Sequence, residues 1–287
     1  MNYQQLWHSL SDEYGEREAR AVVSWLLEVV FGLSQTDVVC GAVNQMQDGD
    51  RIRLQAMMTR LQQGEPVQYV AGTADFGPRQ FSVAPCVLIP RPETYELCRW
   101  IVESGEWRVE RNISVLDIGT GSGCIATTLA LDLPGAQVTA WDISEEALRI
   151  AQTNADRHAA GVLFQLQDAL NPPADRELWD VIVSNPPYVC ECERQAMERH
   201  VLDHEPALAL FVPDNDPLRF YRAIGNYARK ALKPNGRLFF ELNATHAGET
   251  ADMLRQQGFS DVTLREDQFG RTRFLRAARP SHTSPLT

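Results

Sequence analysis

A short apolar run, Ser114 to Ile118, leads straight into Gly119-Thr120-Gly121-Ser122-Gly123 and then into a helical pattern from Cys124 to Leu131. This junction constrains the fold more than any other segment. Glycines let the backbone turn sharply and approach a ligand without a Cβ in the way. A helix start behind them presents unpaired N–H donors. The alternation continues downstream. Gln137 to Trp141, Val162 to Leu166, Val181 to Ser184 and Arg237 to Leu242 read as strands. Glu145 to His158, Leu218 to Leu232 and Ala247 to Gln257 read as helices, the second stopped by Pro234-Asn235-Gly236. Val262 to Arg265 and Arg273 to Ala277 suit an antiparallel edge pair. The expectation is an α/β domain over residues 95–279, with a mostly parallel sheet covered on both faces.

Residues 1–72 have another character. Val22, Trp25, Leu26, Val29 and Val30 share one helical face ended by Gly32, and Leu54, Met57, Met58 and Leu61 repeat the pattern before Gly64. This is the spacing of a small helical core. Residues 1–75 carry five basic and ten acidic residues, and the segment is read as a docking module. Residues 73–94 join the two parts: a β-hairpin around Gly77-Pro78, then Leu88-Ile89-Pro90-Arg91-Pro92-Glu93-Thr94, stiffened by its prolines. A polar tail, residues 280–287, is expected to be disordered.

Net charge is −11, and only two of the 27 basic residues are lysines, Lys230 and Lys233. A basic stripe for tracking phosphates is missing, so no stable nucleic-acid partner is expected. An acidic surface suits a basic protein partner instead. No apolar run reaches the roughly 18 residues of a membrane span, and no signal peptide is visible, which places the expectation in the cytoplasm. Six scattered cysteines form no pair of Cys-x-x-Cys knuckles, so no metal is expected. A monomer is expected.

The glycine loop acquires a specific meaning from its partners. Asp142 closes the next strand, 19 residues after Gly123, where a carboxylate can accept from both hydroxyls of a ribose. Asp168 and Ala169 follow the third strand, where they can meet an adenine. A dinucleotide fingerprint wants a third glycine or alanine where this chain has Cys124. That position, together with Asn185-Pro186-Pro187-Tyr188, favours S-adenosylmethionine.

Asn185 stands at the C-terminal end of an apolar strand, the side on which open parallel sheets bind ligands. An amide nitrogen is a poor nucleophile because its lone pair is delocalised. The Asn185 side-chain oxygen and the Pro186 carbonyl can each accept one N–H, which orients the NH2 and concentrates electron density on nitrogen. Two prolines fix the carbonyl direction. Tyr188 offers a flat face for a planar amide or base, and aromatic faces also favour a sulfonium. Asn185, Pro186 and Tyr188 are thus the candidate catalytic residues, with Pro187 completing the acceptor site.

With these motifs in place the chain resembles the peptide chain release factor glutamine methyltransferases over nearly its full length. Glu65 to Gly72, Leu88 to Thr94, the glycine loop, Asn185 to Tyr188, Glu205-Pro206-Ala207-Leu208-Ala209-Leu210 and Phe240-Glu241-Leu242 carry the resemblance. It implies a Rossmann-like class I S-adenosylmethionine-dependent methyltransferase domain joined through the β-hairpin to a small N-terminal helical domain. It implies methyl transfer to the glutamine amide of the Gly-Gly-Gln motif in class 1 release factors, giving N5-methylglutamine. Gly119 to Gly123 and Asp142 would hold the cofactor, with Asn185 nearby. Because Asn-Pro-Pro-Tyr is shared with adenine-N6 and cytosine-N4 amino-methyltransferases, a nucleic-acid substrate is the alternative. Tyr95 and Asn243 depart from the family's pattern, as do Ala169 and Leu170 after Asp168.

Overall fold

The computed structural model describes residues 2–104 and 112–280. Trp107 and the tail from Ser281 lie outside the described residues. The chain divides into two compact units.

The larger unit, Asp75–Ser82, Cys86–Ala196 and Glu205–Thr287, is built on a seven-stranded mixed sheet. Its strands are β1 (Ile113–Ile118), β2 (Ala136–Asp142), β3 (Val162–Leu166), β4 (Trp179–Ser184), β5 (Leu232–Glu241), β6 (Ser260–Glu266) and β7 (Thr272–Ala278). The order across the sheet is β3-β2-β1-β4-β5-β7-β6. The first five are parallel, and β7 pairs antiparallel with both β5 and β6. Its longer helices, among the described residues, are α1 (Pro92–Glu103), α2 (Cys124–Asp132), α3 (Glu145–Arg157), α4 (Arg219–Ala231) and α5 (Ala247–Gln256).

Alternate residues of the central strands enter two different cores, because successive side chains point to opposite faces. Leu116, Ile118, Ile182, Leu238 and Phe240 pack with Tyr221, Ile224 and Tyr227 of α4 and Ala251 and Leu254 of α5. Val115, Val181, Val183 and Phe239 pack with Leu97 and Ile101 of α1 and Ile125 and Leu129 of α2. This double burial is why these strands read as continuous apolar runs.

Helix α4 ends at Ala231, one residue short of the expected Leu232, and Pro234-Asn235-Gly236 lies inside β5, which follows directly. The register slips from Trp179↔Leu232 to Val181↔Arg237, so extra β5 residues bulge out of the ladder, and Asn235 takes φ 64°. The hairpin strands Thr73–Phe76 and Arg79–Ser82 flank the expected turn. At Gly77, φ is 58° and an added Cβ would come within 2.3 Å of the Tyr95 ring. Tyr95 also meets Phe76 edge-on at 5.4 Å. One of the departures from the family's pattern is therefore a packing residue under the hairpin.

The helical unit comprises Met1–Ala74, Val83–Pro85 and Met197–His204. Its core joins Leu6, Trp7, Val23, Leu26 and Leu27 to Leu54, Met58 and Leu61. The long helix Ser11–Phe31 breaks its helical geometry at Gly15 and ends at Gly32, φ 67°. Arg60 pairs with Glu65 through two hydrogen bonds, 2.7 and 2.5 Å, and donates to the Tyr69 and Val70 carbonyls. The Arg60 hydrogen bond, helped by the guanidinium charge, holds Glu65 below the usual carboxylate range. Among the described residues no helix is long and apolar enough to cross a membrane.

Candidate active site

Strand order reverses direction between β1 and β4, and both end at the same level: Ile118 pairs with Ser184 in register, and the Ser184 hydroxyl donates to the Ile118 carbonyl at 2.6 Å. The residues that follow, Gly119 and Asn185, therefore emerge side by side about 5 Å apart, the spacing of adjacent strands. The crevice of an open parallel sheet lies at such a switch point. The glycine loop and the Asn-Pro-Pro-Tyr segment share it.

The loop is held by backbone bonds. Gly119 and Thr120 N–H both donate to the Trp141 carbonyl at 2.9 Å, and Gly123 N–H donates to Thr120 O. Gly119, Gly121 and Gly123 all have positive φ. An added Cβ at Gly119 or Gly121 would meet nothing within 4 Å, whereas at Gly123 it would lie 2.9 Å from the Ala151 Cβ. The first two glycines leave open space and the third allows α2 to approach α3. Asn154 of α3, fully buried, fastens the loop from behind. Its Nδ2 donates to the Ser122 and Ser82 carbonyls and its Oδ1 accepts from Ser82 N–H.

Asp142 ends β2 as expected. Its Oδ2 accepts from Gly121 N–H at 2.8 Å and its Oδ1 from Ser144 N–H at 2.9 Å. It shapes the loop and keeps lone pairs for a diol. Asp168 is engaged in its own turn, accepting from Leu170 N–H and Asn171 Nδ2. Ala169 packs against the core on the α4 side.

Asp117, inside the apolar strand ahead of the glycine loop, carries no sequence signal of a role. It is fully buried, takes a hydrogen bond from Thr120 Oγ1 at 2.6 Å, and its Oδ1 makes no hydrogen bond of good geometry. Burial pushes its pKa up to about 7, against the pull of the Thr120 hydroxyl and the Ala126 N–H. An orphaned buried carboxylate oxygen beside an open glycine cradle calls for a cation. S-adenosylmethionine, with its ammonium and sulfonium, fits this set.

The pH consequence follows. Between its ordinary value of 3.8 and about 7, Asp117 holds more protons in the fold than in the unfolded chain. Its contribution to ligand-free stability is therefore fullest below 3.8 and declines as pH rises towards about 7. A cation beside Oδ1 favours the ionised form. Cofactor affinity measured by calorimetry is expected to rise from about pH 6 to about pH 8, and Asp117→Asn to flatten that rise.

The acceptor side is a hydrogen-bonded cluster. Asn185 Nδ2 donates to Thr94 Oγ1 at 3.2 Å, Thr94 Oγ1 donates to Glu241 Oε2 at 2.6 Å, and Tyr188 OH donates to Glu241 Oε1 at 3.0 Å. Glu241 is buried, and desolvation raises its pKa, opposed by the hydrogen bonds from Thr94 and Tyr188. Burial likewise raises the Tyr188 phenol. Among the described residues, neither Asn185 Oδ1 nor the Pro186 carbonyl accepts a hydrogen bond. Pro186 is buried and Pro187 half-buried.

The remaining motifs converge here. Glu205 accepts from Ile89 N–H at 3.2 Å and Arg91 at 2.5 Å, a local salt bridge that secures the proline-rich connection. Tyr188 N–H donates to Leu210 O. Asn243, the other departure, donates through Nδ2 to the Tyr188 carbonyl at 3.0 Å and to Glu193 Oε1 at 2.9 Å. It clamps the exit of the Asn-Pro-Pro-Tyr segment. Cys190 stays a thiol, its pKa pushed up to about 11 by burial. Among the described residues there is no group of three or more His, Cys, Asp or Glu side chains able to hold a metal.

Comparison with known proteins agrees with this geometry. Residues 109–272 match the family model of a methyltransferase domain, and residues 4–72 match that of the PrmC N-terminal domain. The release factor glutamine methyltransferase of Bacteroides thetaiotaomicron is 45% identical over 273 residues, 94% of this chain and 96% of that protein. The enzyme of that name from Flavobacterium psychrophilum is 38% identical over 277 residues, 96% and 97% of the two chains. The crystal structure of a ribosomal protein L11 methylase from Lactobacillus delbrueckii subsp. bulgaricus superimposes with a TM-score of 0.51 at 17% identity, over 72% of this chain and 98% of that one, which shows the shared fold. The chain belongs to the release factor glutamine methyltransferase family, enzymes that depend on S-adenosylmethionine.

Proposed function

We propose that this protein methylates the side-chain amide nitrogen of the glutamine in the Gly-Gly-Gln motif of class 1 release factors, giving N5-methylglutamine. The observation that carries this reading is the pair of unengaged acceptors, Asn185 Oδ1 and the Pro186 carbonyl, one residue beyond the β1–β4 switch point and beside the glycine loop. Two acceptors facing a flat group select an NH2, which has two protons to give. Holding both protons fixes the amide plane and enriches the nitrogen in electron density. The Tyr188 ring supplies a face for that plane, its hydroxyl anchored on Glu241. Gly119 to Gly123, Asp142 and Asp117 hold the cofactor, with Asp168 and Ala169 at its adenine end. When bound, it supplies an electrophilic methyl carbon. No strong base is required, because a methylated amide nitrogen loses its extra proton readily to water. In-line positioning supplies most of the rate.

Residues 1–72 serve as the docking module for the factor. Their acidic excess, and the net charge of −11, suit a basic protein surface better than a phosphate backbone. Incubation with methyl-labelled S-adenosylmethionine and a release factor, followed by peptide mapping, tests the reading. Label is expected on the Gly-Gly-Gln glutamine. Label on adenine or cytosine of added nucleic acid, with none on the factor, overturns it in favour of the amino-methyltransferase alternative.

A further inference from the structure

Glu241 is buried at the end of β5, and as a carboxylate it can only accept hydrogen bonds. It receives two hydroxyl protons, from Thr94 and from Tyr188. A threonine hydroxyl has one proton. Having given it to Glu241, Thr94 Oγ1 has only lone pairs left for its other neighbour, and Asn185 meets them with Nδ2 at 3.2 Å. The opposite amide orientation would set Asn185 Oδ1 against those lone pairs. Oδ1 is therefore the end left unengaged.

We propose that the Thr94–Glu241 pair fixes the amide orientation of Asn185 and thereby makes the site select a carboxamide over a carboxylate. In the orientation held, Asn185 Oδ1 and the Pro186 carbonyl are both acceptors, which attract an NH2 and repel a carboxylate. With the amide reversed, Asn185 would offer donors beside the Pro186 carbonyl, an arrangement that tolerates a carboxylic side chain. Discrimination between glutamine and glutamate thus originates behind the site, at residues that do not touch the acceptor. Thr94 and Glu241 are positioning residues. The inference rests on the proposal that the acceptor is a glutamine amide.

The isosteric variant Thr94→Val removes the hydroxyl and keeps the shape; Thr94→Ser keeps the hydroxyl. In Glu241→Gln one of the two hydroxyl contacts must reverse, and reversal at Thr94 sends its proton to Asn185 and turns the amide round. Thr94→Val is expected to lower kcat by roughly 10-fold or more, as loss of an oriented hydrogen bond does, with cofactor affinity by calorimetry unchanged. Glu241→Gln is expected to do the same when its NH2 faces Thr94, which the Asn185 side-chain resonances report. Thr94→Ser is expected to restore kcat. A release factor carrying glutamate in place of the motif glutamine is expected to inhibit the wild type weakly. Its inhibition constant should fall towards the glutamine KM in Thr94→Val. A general loss of structure would not produce that change in preference. The Asn185 side-chain NH2 resonances give a readout independent of any acceptor. One proton should be downfield and protected in the wild type and Thr94→Ser, and solvent-like in Thr94→Val. Wild-type kcat and preference in Thr94→Val, equal behaviour of the Val and Ser variants, or unchanged resonances would overturn the inference. Failure of the wild type to methylate a release factor would overturn the proposed function instead, and the resonances would still decide the role of Thr94.

Discussion

Asn185→Ala is expected to slow single-turnover methyl transfer by on the order of 100-fold or more, the usual cost of removing a preorganised polar contact at a reacting centre. The variant deletes one of two acceptors for the substrate NH2 and leaves the Pro186 carbonyl to orient it alone. It also frees Thr94 Oγ1 from its partner at 3.2 Å without disturbing the bond to Glu241, so the fold should survive. Asn185→Asp is the sharper companion. It retains an acceptor oxygen but loses the donor towards Thr94 and adds a charge near buried Glu241, so it should not recover the wild-type rate. Rapid-quench kinetics at saturating cofactor measure both. A rate for Asn185→Ala within about threefold of wild type would remove the assigned role.

The second large effect is expected at Asp142. Asp142→Ala should weaken cofactor binding by roughly 10- to 100-fold, the loss of one or two charge-assisted hydrogen bonds. The carboxylate accepts from Gly121 and Ser144 N–H, so its removal leaves the loop less fixed and the ribose without its acceptor. Asp142→Asn keeps one oxygen and should fall between. Turnover at saturating cofactor should change much less than affinity, because the acceptor side is untouched. An unaltered dissociation constant by calorimetry would mean that another group holds the ribose.

The sheet was legible because each central strand is buried on both faces and each junction carries its own punctuation. Val115 to Ile118 ends in the glycine loop, Val138 to Trp141 in an acid, Val181 to Ser184 in an asparagine, and the structure brings those three ends to one edge. Gly32 and Gly64 bounded the two long N-terminal helices for the same local reason. The helices Tyr3–His8, Gln35–Val39, Val67–Ala71 and Arg199–His204 are five or six residues each, too short to show a 3.6-residue period. What sequence order conceals above all is partnership at a distance. Thr94 and Glu241 are 147 positions apart and meet only because α1 and β5 flank the same strand end. Glu241 stands at a strand end with nothing local to mark it, and it anchors two side chains of the site. Asn154 lies on an ordinary amphipathic helix, and its tie to Ser122 depends on how α3 packs behind the loop. Burial of a polar side chain was the missing signal in each case, and burial is a property of the folded chain.

The grouping of Met197–His204 with the N-terminal residues has a consequence for how this protein can be taken apart or recombined. The polypeptide passes from one unit to the other at five points along its length. No single scission releases either unit whole. Exchanging residues 1–72 with those of a relative therefore also transplants a demand on an eight-residue insert more than a hundred positions downstream. Inheritance of partner preference in this family should follow both stretches together.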